Sequence, residues 1–431
     1  MEVVYARCCG LDIHKRSVVA CVIVPDAAGK PKRTIRRYST MTDDLLRLGD
    51  RLASEGVTHV ALESTGVYWK PVYNLLEGRF ALLLVNAQHP KAVPGRKTDV
   101  CDAAWLAELL RHGLLEGSFV PDRAQRELRE LTRYRTSLIR ERAREANRVQ
   151  ATLEGANIKL AAVASDVLGA SGRAMLAALI AGATAADAPA VADLAQRRLR
   201  AKLPALERAL AGRMGAHQRF LLARQLAHID VLDAQIARLD AEVAARLRPF
   251  EAELARLDGI PGIGRRTAEV ILAEIGTDLR RFPTAQHLAS WAGMAPGNKQ
   301  SAGKRLSGRT RKGNRWLRAA LVEAAHGAAR TKGTYLAAQY RRLAARRGAK
   351  RAAVAVGHSL LVIAYHLLRE QTTYRDLGST YFDARDREAV ARRAVGRLQA
   401  LGFTVTIQRA APPAPAHPQG SADVPEVPVA V

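Results

Sequence analysis

The sequence predicts an α/β domain over residues 1–120 joined to a mainly helical remainder, the α/β plus all-α class. Three observations carry this reading. In the first 120 residues short β-prone runs alternate with helical stretches, the pattern of a mixed sheet covered by helices. From Pro121 to about Leu257 the apolar spacing becomes helical. Residues 258–375 then carry a glycine-punctuated, again largely helical pattern. This divides the chain into 1–120, 121–257, 258–375, a C-terminal extension at 376–409 and a tail at 410–431. The tail is Ala/Pro-rich without periodicity and is expected to be disordered.

Leu11–Ile13, Ser17–Val24 and Arg33–Tyr38 read as strands, with Asp26–Pro31 as the turn between the last two. Thr42 is placed to cap a helix to about Leu52, because Leu45, Leu46, Leu48 and Leu52 fit one face. A strand over Val57–Glu63, a helix over Tyr68–Leu76, a strong apolar strand over Phe80–Val85 and a helix over Asp99–Arg111 follow. Beyond Pro121 one long helix is predicted over Asp122–Leu153 and a second over Gln218–Leu247. The second bears Leu222, Leu226, Ile229, Leu232, Ile236, Leu239, Val243 and Leu247, spaced by three or four. Such a seam suits a dimerising coiled coil and an internal helical bundle equally well. Leu160–Leu203, Ala-rich, supplies shorter helices, and Ala352–Arg369 a last long one.

The chain has 431 residues, 48% of them apolar, enough to bury substantial cores. Its 67 Lys and Arg against 41 Asp and Glu leave a formal charge of +26. That excess points to a polyanionic partner, most commonly nucleic acid. The four cysteines, Cys8, Cys9, Cys21 and Cys101, form no C-x-x-C pair, which disfavours a zinc ribbon or a secreted disulfide scaffold. The apolar runs are too short to span a bilayer and no signal peptide is apparent, so a cytoplasmic protein is expected.

Four carboxylates of the first domain form a candidate site. Asp12 lies in the first strand among apolar residues, Glu63 ends a later strand, and Asp99 and Asp102 share one face at a helix start. Two-metal phosphodiester chemistry requires carboxylates converging from separate elements. Taken singly, each is equally an ordinary surface acid, although a carboxylate among apolar strand neighbours is costly if unpaired. His14, two residues after Asp12, either touches this site or is a structural histidine.

Gly259–Gly276 reads G-I-P-G-I-G-R-R-T-A-E-V-I-L-A-E-I-G, a helix-hairpin-helix-like turn in which Gly262, Gly264 and Arg265 would face a phosphate. A tight interhelical turn is the structural alternative. Pro296–Arg318 contains Lys299, Lys304, Arg305, Arg309, Arg311, Lys312, Arg315 and Arg318 and no acidic residue. Among them lie Ser301, Ser307 and Thr310. A serine beside such cations can attack phosphorus, because they neutralise charge developing on the phosphoryl oxygens; a loop that only grips nucleic acid fits the same residues. Arg341–Arg351 is a second basic cluster.

The segments G-L-D-I-H-K, A-L-E-S-T-G-V-Y-W and K-T-D-V-C-D-A resemble the DEDD domain of insertion-sequence-110 family transposases. I-P-G-I-G, W-A-G-M-A-P, S-A-G-K and R-K-G-N-R-W-L-R resemble that family's C-terminal transposase domain. The resemblance runs from about residue 8 to residue 368, the middle matching only as a helical spacer. It implies an RNase H-like (RuvC-like) domain, a coiled coil and a transposase domain. It further implies a DNA recombinase guided by a structured bridge RNA. In it Asp12, Glu63, Asp99 and Asp102 would hold Mg²⁺, and Ser301 would attack the DNA to give a 5′-phosphoserine link. Ala302 departs from the two glycines that often follow this serine, so Ser307 and Thr310 stay as lesser candidates. A dimer through the coiled coil and a tetramer with a site shared between subunits are implied as well. The competing expectations are a hydrolytic two-metal nuclease that needs no Ser301 and a non-catalytic nucleic-acid-binding protein.

Overall fold

Cys9, Leu11 and Ile13 face one side of the first strand and Cys8, Gly10 and Asp12 the other, so two separate cores grow from one short segment. In the computed structural model, which describes residues 2–63, 66–85, 102–297 and 299–408, this strand is central to unit one, Met1–Asp122. The strands are β1 Cys8–Ile13, β2 Ser17–Pro25, β3 Pro31–Ser39, β4 His59–Glu63 and β5 Ala81–Val85, in the order β3-β2-β1-β4-β5. β1, β2 and β3 run antiparallel, whereas β1, β4 and β5 are parallel. The sheet is therefore mixed, as the sequence predicts. Edge strand β3 carries Lys32, Arg33, Arg36 and Arg37 and is largely exposed, which protects it from pairing with another chain.

Helices α1 Thr42–Ser54 and α2 Trp69–Leu76 cover the Leu11 face, burying Leu45, Leu48, Leu52, Val72 and Leu76. Thr42 is the first helical residue and not the cap. Met41 precedes the helix, and Asp43 and Asp44 supply the first-turn negative charge that suits a helix start. Helix α3 Asp102–Arg111 covers the opposite face with Ala103, Ala104, Leu106, Ala107 and Leu110. Cys8, Cys9 and Cys21 are buried beneath these helices, and burial pushes the Cys8 thiol up to about 12. Asp99, Cys101 and the tail from residue 410 lie outside the described residues.

Unit two, Arg123–Val431, is helical apart from one hairpin among its described residues. Helix α4 Arg123–Gly155 and helix α5 Ala216–Leu247 pack along each other. The expected seam is filled within the chain: Leu222, Ile229, Leu232, Ile236, Val243 and Leu247 are all buried, with Leu138, Val149 and Leu153 of α4 among their neighbours. The stripe thus closes an internal helix pair, and the short helices of residues 160–210 cap its far end with Met175, Leu176, Val191 and Leu206.

Helices α6 Glu251–Asp258, α7 Arg265–Ile275, α8 Ala285–Trp291, α9 Arg315–Arg330, α10 Tyr335–Arg347 and α11 Ala349–Glu370 complete the main body. Across the boundary expected at 257–258, α4 packs directly on α7. Helix α11 is long and apolar enough to cross a membrane by length and composition, whereas the sequence reading took the apolar runs as too short. Of its most apolar window, 67% is buried inside the protein. The extension continues as α12 Tyr381–Arg385 and α13 Arg387–Ala400; α12 docks by stacking Phe382 on Tyr335, ring centroids 5.1 Å apart.

Candidate functional site

Unit one brings three of the four predicted carboxylates to one side of the sheet. In the parallel pairing of β1 with β4, Leu11 stands opposite Leu62, so Asp12 and Glu63 are the next residues of each strand. Both belong to the face on which Gly10 and Ala61 meet α3, and Asp102 opens that helix. A Cβ on Gly10 would come within 2.3 Å of the Ala103 carbonyl oxygen and 2.5 Å of the Ala107 nitrogen. Only glycine allows the helix to lie this close to β1, and Ala103 follows Asp102 directly.

The Asp12 side chain is 16% exposed, and His14 Nε2 lies 3.1 Å from its Oδ2. His14 is therefore a partner of this carboxylate, which answers the cost of placing an acid among apolar strand residues. An all-carboxylate donor set is what a hard divalent cation takes. Among the described residues no three such groups come together as a formed metal centre, and Asp99 is not one of those residues.

In unit two the basic stretch expected as a loop is a β-hairpin, β6 Lys299–Ser301 with β7 Lys304–Ser307. Ser301 pairs with Lys304 across a two-residue turn, in which Ala302 has φ 47° and Gly303 φ 73°. Two successive left-handed residues are the signature of the tight hairpin turn that matches strand twist. The sequence signal was Ala-Gly between two short runs, masked because alanine is an uncommon first residue for such a turn.

The legs below the hairpin meet backbone to backbone. A Cβ on Gly297 would lie 2.2 Å from the Arg309 carbonyl oxygen, and one on Gly313 would lie 2.3 Å from the Gly293 nitrogen. Ser301, Lys304, Arg309, Arg311, Lys312 and Arg315 are exposed. The side chains of Lys299 and Arg305 lie outside the described set. Ser307 Oγ accepts from the Arg309 amide at 3.1 Å, and Thr310 Oγ1 accepts from Arg318 Nη1 at 2.8 Å. The two alternative hydroxyls thus have structural partners, while Ser301 stands exposed beside the turn.

Three predicted nucleic-acid contacts have structural partners within the protein. Arg318 Nη1 also donates to the Gly293 carbonyl at 2.9 Å, bracing the base of the hairpin from within. Arg265 makes a two-pronged pair with Glu251 at 2.6 and 2.7 Å and donates to Glu269 at 3.1 Å. These partners raise its pKa above the usual arginine value, Glu251 foremost, and occupy its guanidinium. Gly262, at φ 91°, is needed because a Cβ there would meet Ala324 O and Ala328 N of α9, both at 2.4 Å. Of the turn, Gly264 alone opens onto space, with nothing within 4 Å of an added Cβ.

The sequence reading missed the buried ionic core beneath this surface. Glu274 is fully buried, yet binds Arg133 through both oxygens at 2.7 Å and Asn314 Nδ2 at 2.6 Å. Arg135, 2% exposed, bridges Glu269 at 2.6 Å and Asp240 at 2.9 Å. The available signal was two glutamates, Glu269 and Glu274, inside the apolar run of α7. Elsewhere in unit two, Arg346, Arg347, Lys350 and Arg351 are exposed where α10 turns into α11 at Gly348, with Arg341 one and a half turns earlier on α10.

Two family profiles match the chain. A DEDD-type profile described as a transposase covers residues 9–158, and one described as the transposase IS116/IS110/IS902 family covers residues 254–341. An uncharacterised protein of insertion element IS110 from Streptomyces coelicolor is 44% identical over 85 residues, 19% of this chain and 20% of that protein. The transposase for insertion sequence element IS1111A of Coxiella burnetii is 31% identical over 147 residues, covering 33% of this chain and 40% of the relative. These two alignments span well under two thirds of either relative. A putative transposase of Sinorhizobium fredii is 29% identical over 327 residues, 74% of each chain.

Proposed function

Because the chain belongs to the IS110 family of transposases, we propose that it recombines the DNA of its own insertion sequence under the guidance of a structured RNA. The Oγ of Ser301 attacks a DNA phosphorus. The Oγ–P bond forms while the bond to the 3′ oxygen breaks, and that oxygen leaves with a proton as a 3′ hydroxyl. A 3′ hydroxyl of a second strand then attacks the 5′-phosphoserine and releases the serine. The phosphodiester energy is conserved throughout, so no external energy source enters.

The observation that carries this reading is the setting of Ser301. It lies exposed beside the turn of a hairpin dense in cations, whereas the hydroxyls of Ser307 and Thr310 are bound by Arg309 and Arg318. Lys304, Arg309, Arg311 and Lys312 neutralise phosphate charge around it. In unit one, Asp12, Glu63, Asp99 and Asp102 would hold Mg²⁺. When bound, the ion supplies polarisation of the scissile phosphate and charge neutralisation. The strand order β3-β2-β1-β4-β5, with an antiparallel edge and a parallel half, supports an RNase H-like reading of residues 1–120. We read residues 258–375 as the serine-bearing domain and 121–257 as its helical support. A site shared between copies of the chain in a dimer or tetramer would draw on surfaces other than the α5 seam, which α4 fills.

The test uses cells that carry the intact element, so that any guide RNA is present. On a denaturing gel, DNA covalently attached to the wild-type protein and absent from Ser301→Ala is the expected result. Cut DNA without an adduct in either would replace this reading with a hydrolytic nuclease. DNA binding with neither cutting nor adduct would leave a binding protein.

A further inference from the structure

We infer that Glu274 is a positioning residue for the basic hairpin, acting through Asn314. This rests on the reading of the hairpin as the arm that presents Ser301 to DNA. Glu274 lies at the end of α7 with 0% exposure. A carboxylate taken wholly out of water is expensive and stabilises little even when paired, so its presence calls for a use beyond stability. Its partners show what it connects. Arg133 of α4 holds both oxygens at 2.7 Å, Arg129 lies 3.4 Å from Oε2, and Asn314 Nδ2 donates to the same Oε2 at 2.6 Å.

Asn314 is used at both ends of its amide. Its Oδ1 accepts from the Trp316 and Leu317 amides, each at 3.1 Å, and so caps α9. Its Nδ2 reaches the buried carboxylate. Gly313, the preceding residue, is in backbone contact with Gly293 at the foot of the opposite leg. One continuous link therefore runs from Arg133 in the long helix, through Glu274, to Asn314 and the base of the hairpin. An apolar residue at 274 would leave the Arg133 guanidinium and the Asn314 amide short of a buried partner, and the hairpin would lose its fixed mount.

The link predicts a reciprocal exchange. In Asn314→Asp the cap survives but two carboxylates face each other. In Glu274→Gln the carboxylate is lost. In the double variant the donor and acceptor trade places. The new amide at position 274 donates to the new carboxylate at position 314, whose other oxygen caps α9. The carbonyl of that amide, in the place of Oε1, still accepts from Arg133 Nε, while Arg133 Nη2 loses the Oε2 acceptor it shared with Asn314.

The full-length protein, wild type and the three variants, is compared by amide hydrogen exchange over residues 299–312, by thermal melting, and by strand joining in element-bearing cells. Each single variant is expected to speed exchange in the hairpin and slow joining by about tenfold, the loss of one hydrogen bond to a charged group. The double variant is expected to recover most of both. Hairpin exchange unchanged in Asn314→Asp, or a double variant no better than the worse single, would overturn the positioning role. If Glu274→Gln fails to fold, Asn314→Asp and the double variant still decide. Absence of a covalent adduct in the wild type would sink the Ser301 reading alone, because hairpin exchange reports the mount whatever the chemistry.

Discussion

Gly10 and Ala103 meet backbone to backbone: a Cβ on the glycine would stand 2.3 Å from the Ala103 carbonyl oxygen. This contact fixes how closely α3 lies on β1, and Asp12 and Asp102 are each within two residues of it. The spacing of two carboxylates on different elements thus depends on the absence of one methyl group.

Gly10→Ala is therefore expected to push α3 off the sheet. Overpacking of this kind costs about 1–3 kcal/mol, and a thermal melt of the purified protein should show the loss. Strand joining should fall further than the residual folded fraction explains, because Asp102 moves with the helix. A variant that melts and joins like the wild type would show that α3 does not rest on Gly10.

Arg318 and Lys304 are both cations of the same basic stretch, but the structure gives them different work. Arg318 is engaged with Thr310 and Gly293, while Lys304 is exposed on the hairpin. Lys304→Ala should lower the dependence of log affinity on log salt by about 0.9, the contribution of one phosphate contact. Arg318→Ala should leave that slope unchanged and loosen the hairpin, seen as faster amide exchange over residues 299–312. Equal slope changes in the two would return Arg318 to the phosphate-binding set.

The contrast marks where the sequence was legible. The strands around Asp12 and Glu63 were readable because apolar alternation is local. The helices at 123–155 and 216–247 were readable because their period persists over many turns. What the α5 stripe faces was not, since a seam of leucines is the same whether its partner is α4 or another chain. Each cation was read as open to phosphate, yet Arg265 and Arg318 also hold partners within the protein. Glu274 was missed for the converse reason: an acid in an apolar run gives no hint that Arg133, 141 residues away in sequence, will come to meet it. The carboxylate set was legible as a motif, and its three described members do share one sheet face.

Ala302 occupies a left-handed conformation, φ 47°, immediately after Ser301 and before Gly303. A side chain there costs about 1 kcal/mol relative to glycine, because its Cβ crowds the following carbonyl. Ala302→Gly is therefore expected to favour the folded hairpin, slowing amide exchange at Ser301 and Lys304 several-fold. Ala302→Val should do the reverse, since a β-branched residue is a worse fit at positive φ. Because Ser301 directly precedes the turn, joining should rise or hold with glycine and fall with valine, while DNA affinity, set by the exposed cations, stays the same for both. Faster exchange with glycine would mean that chain entropy outweighs the relief of strain. The turn would then be held by the contacts of Gly297 and Gly313 at its base and not by its own geometry.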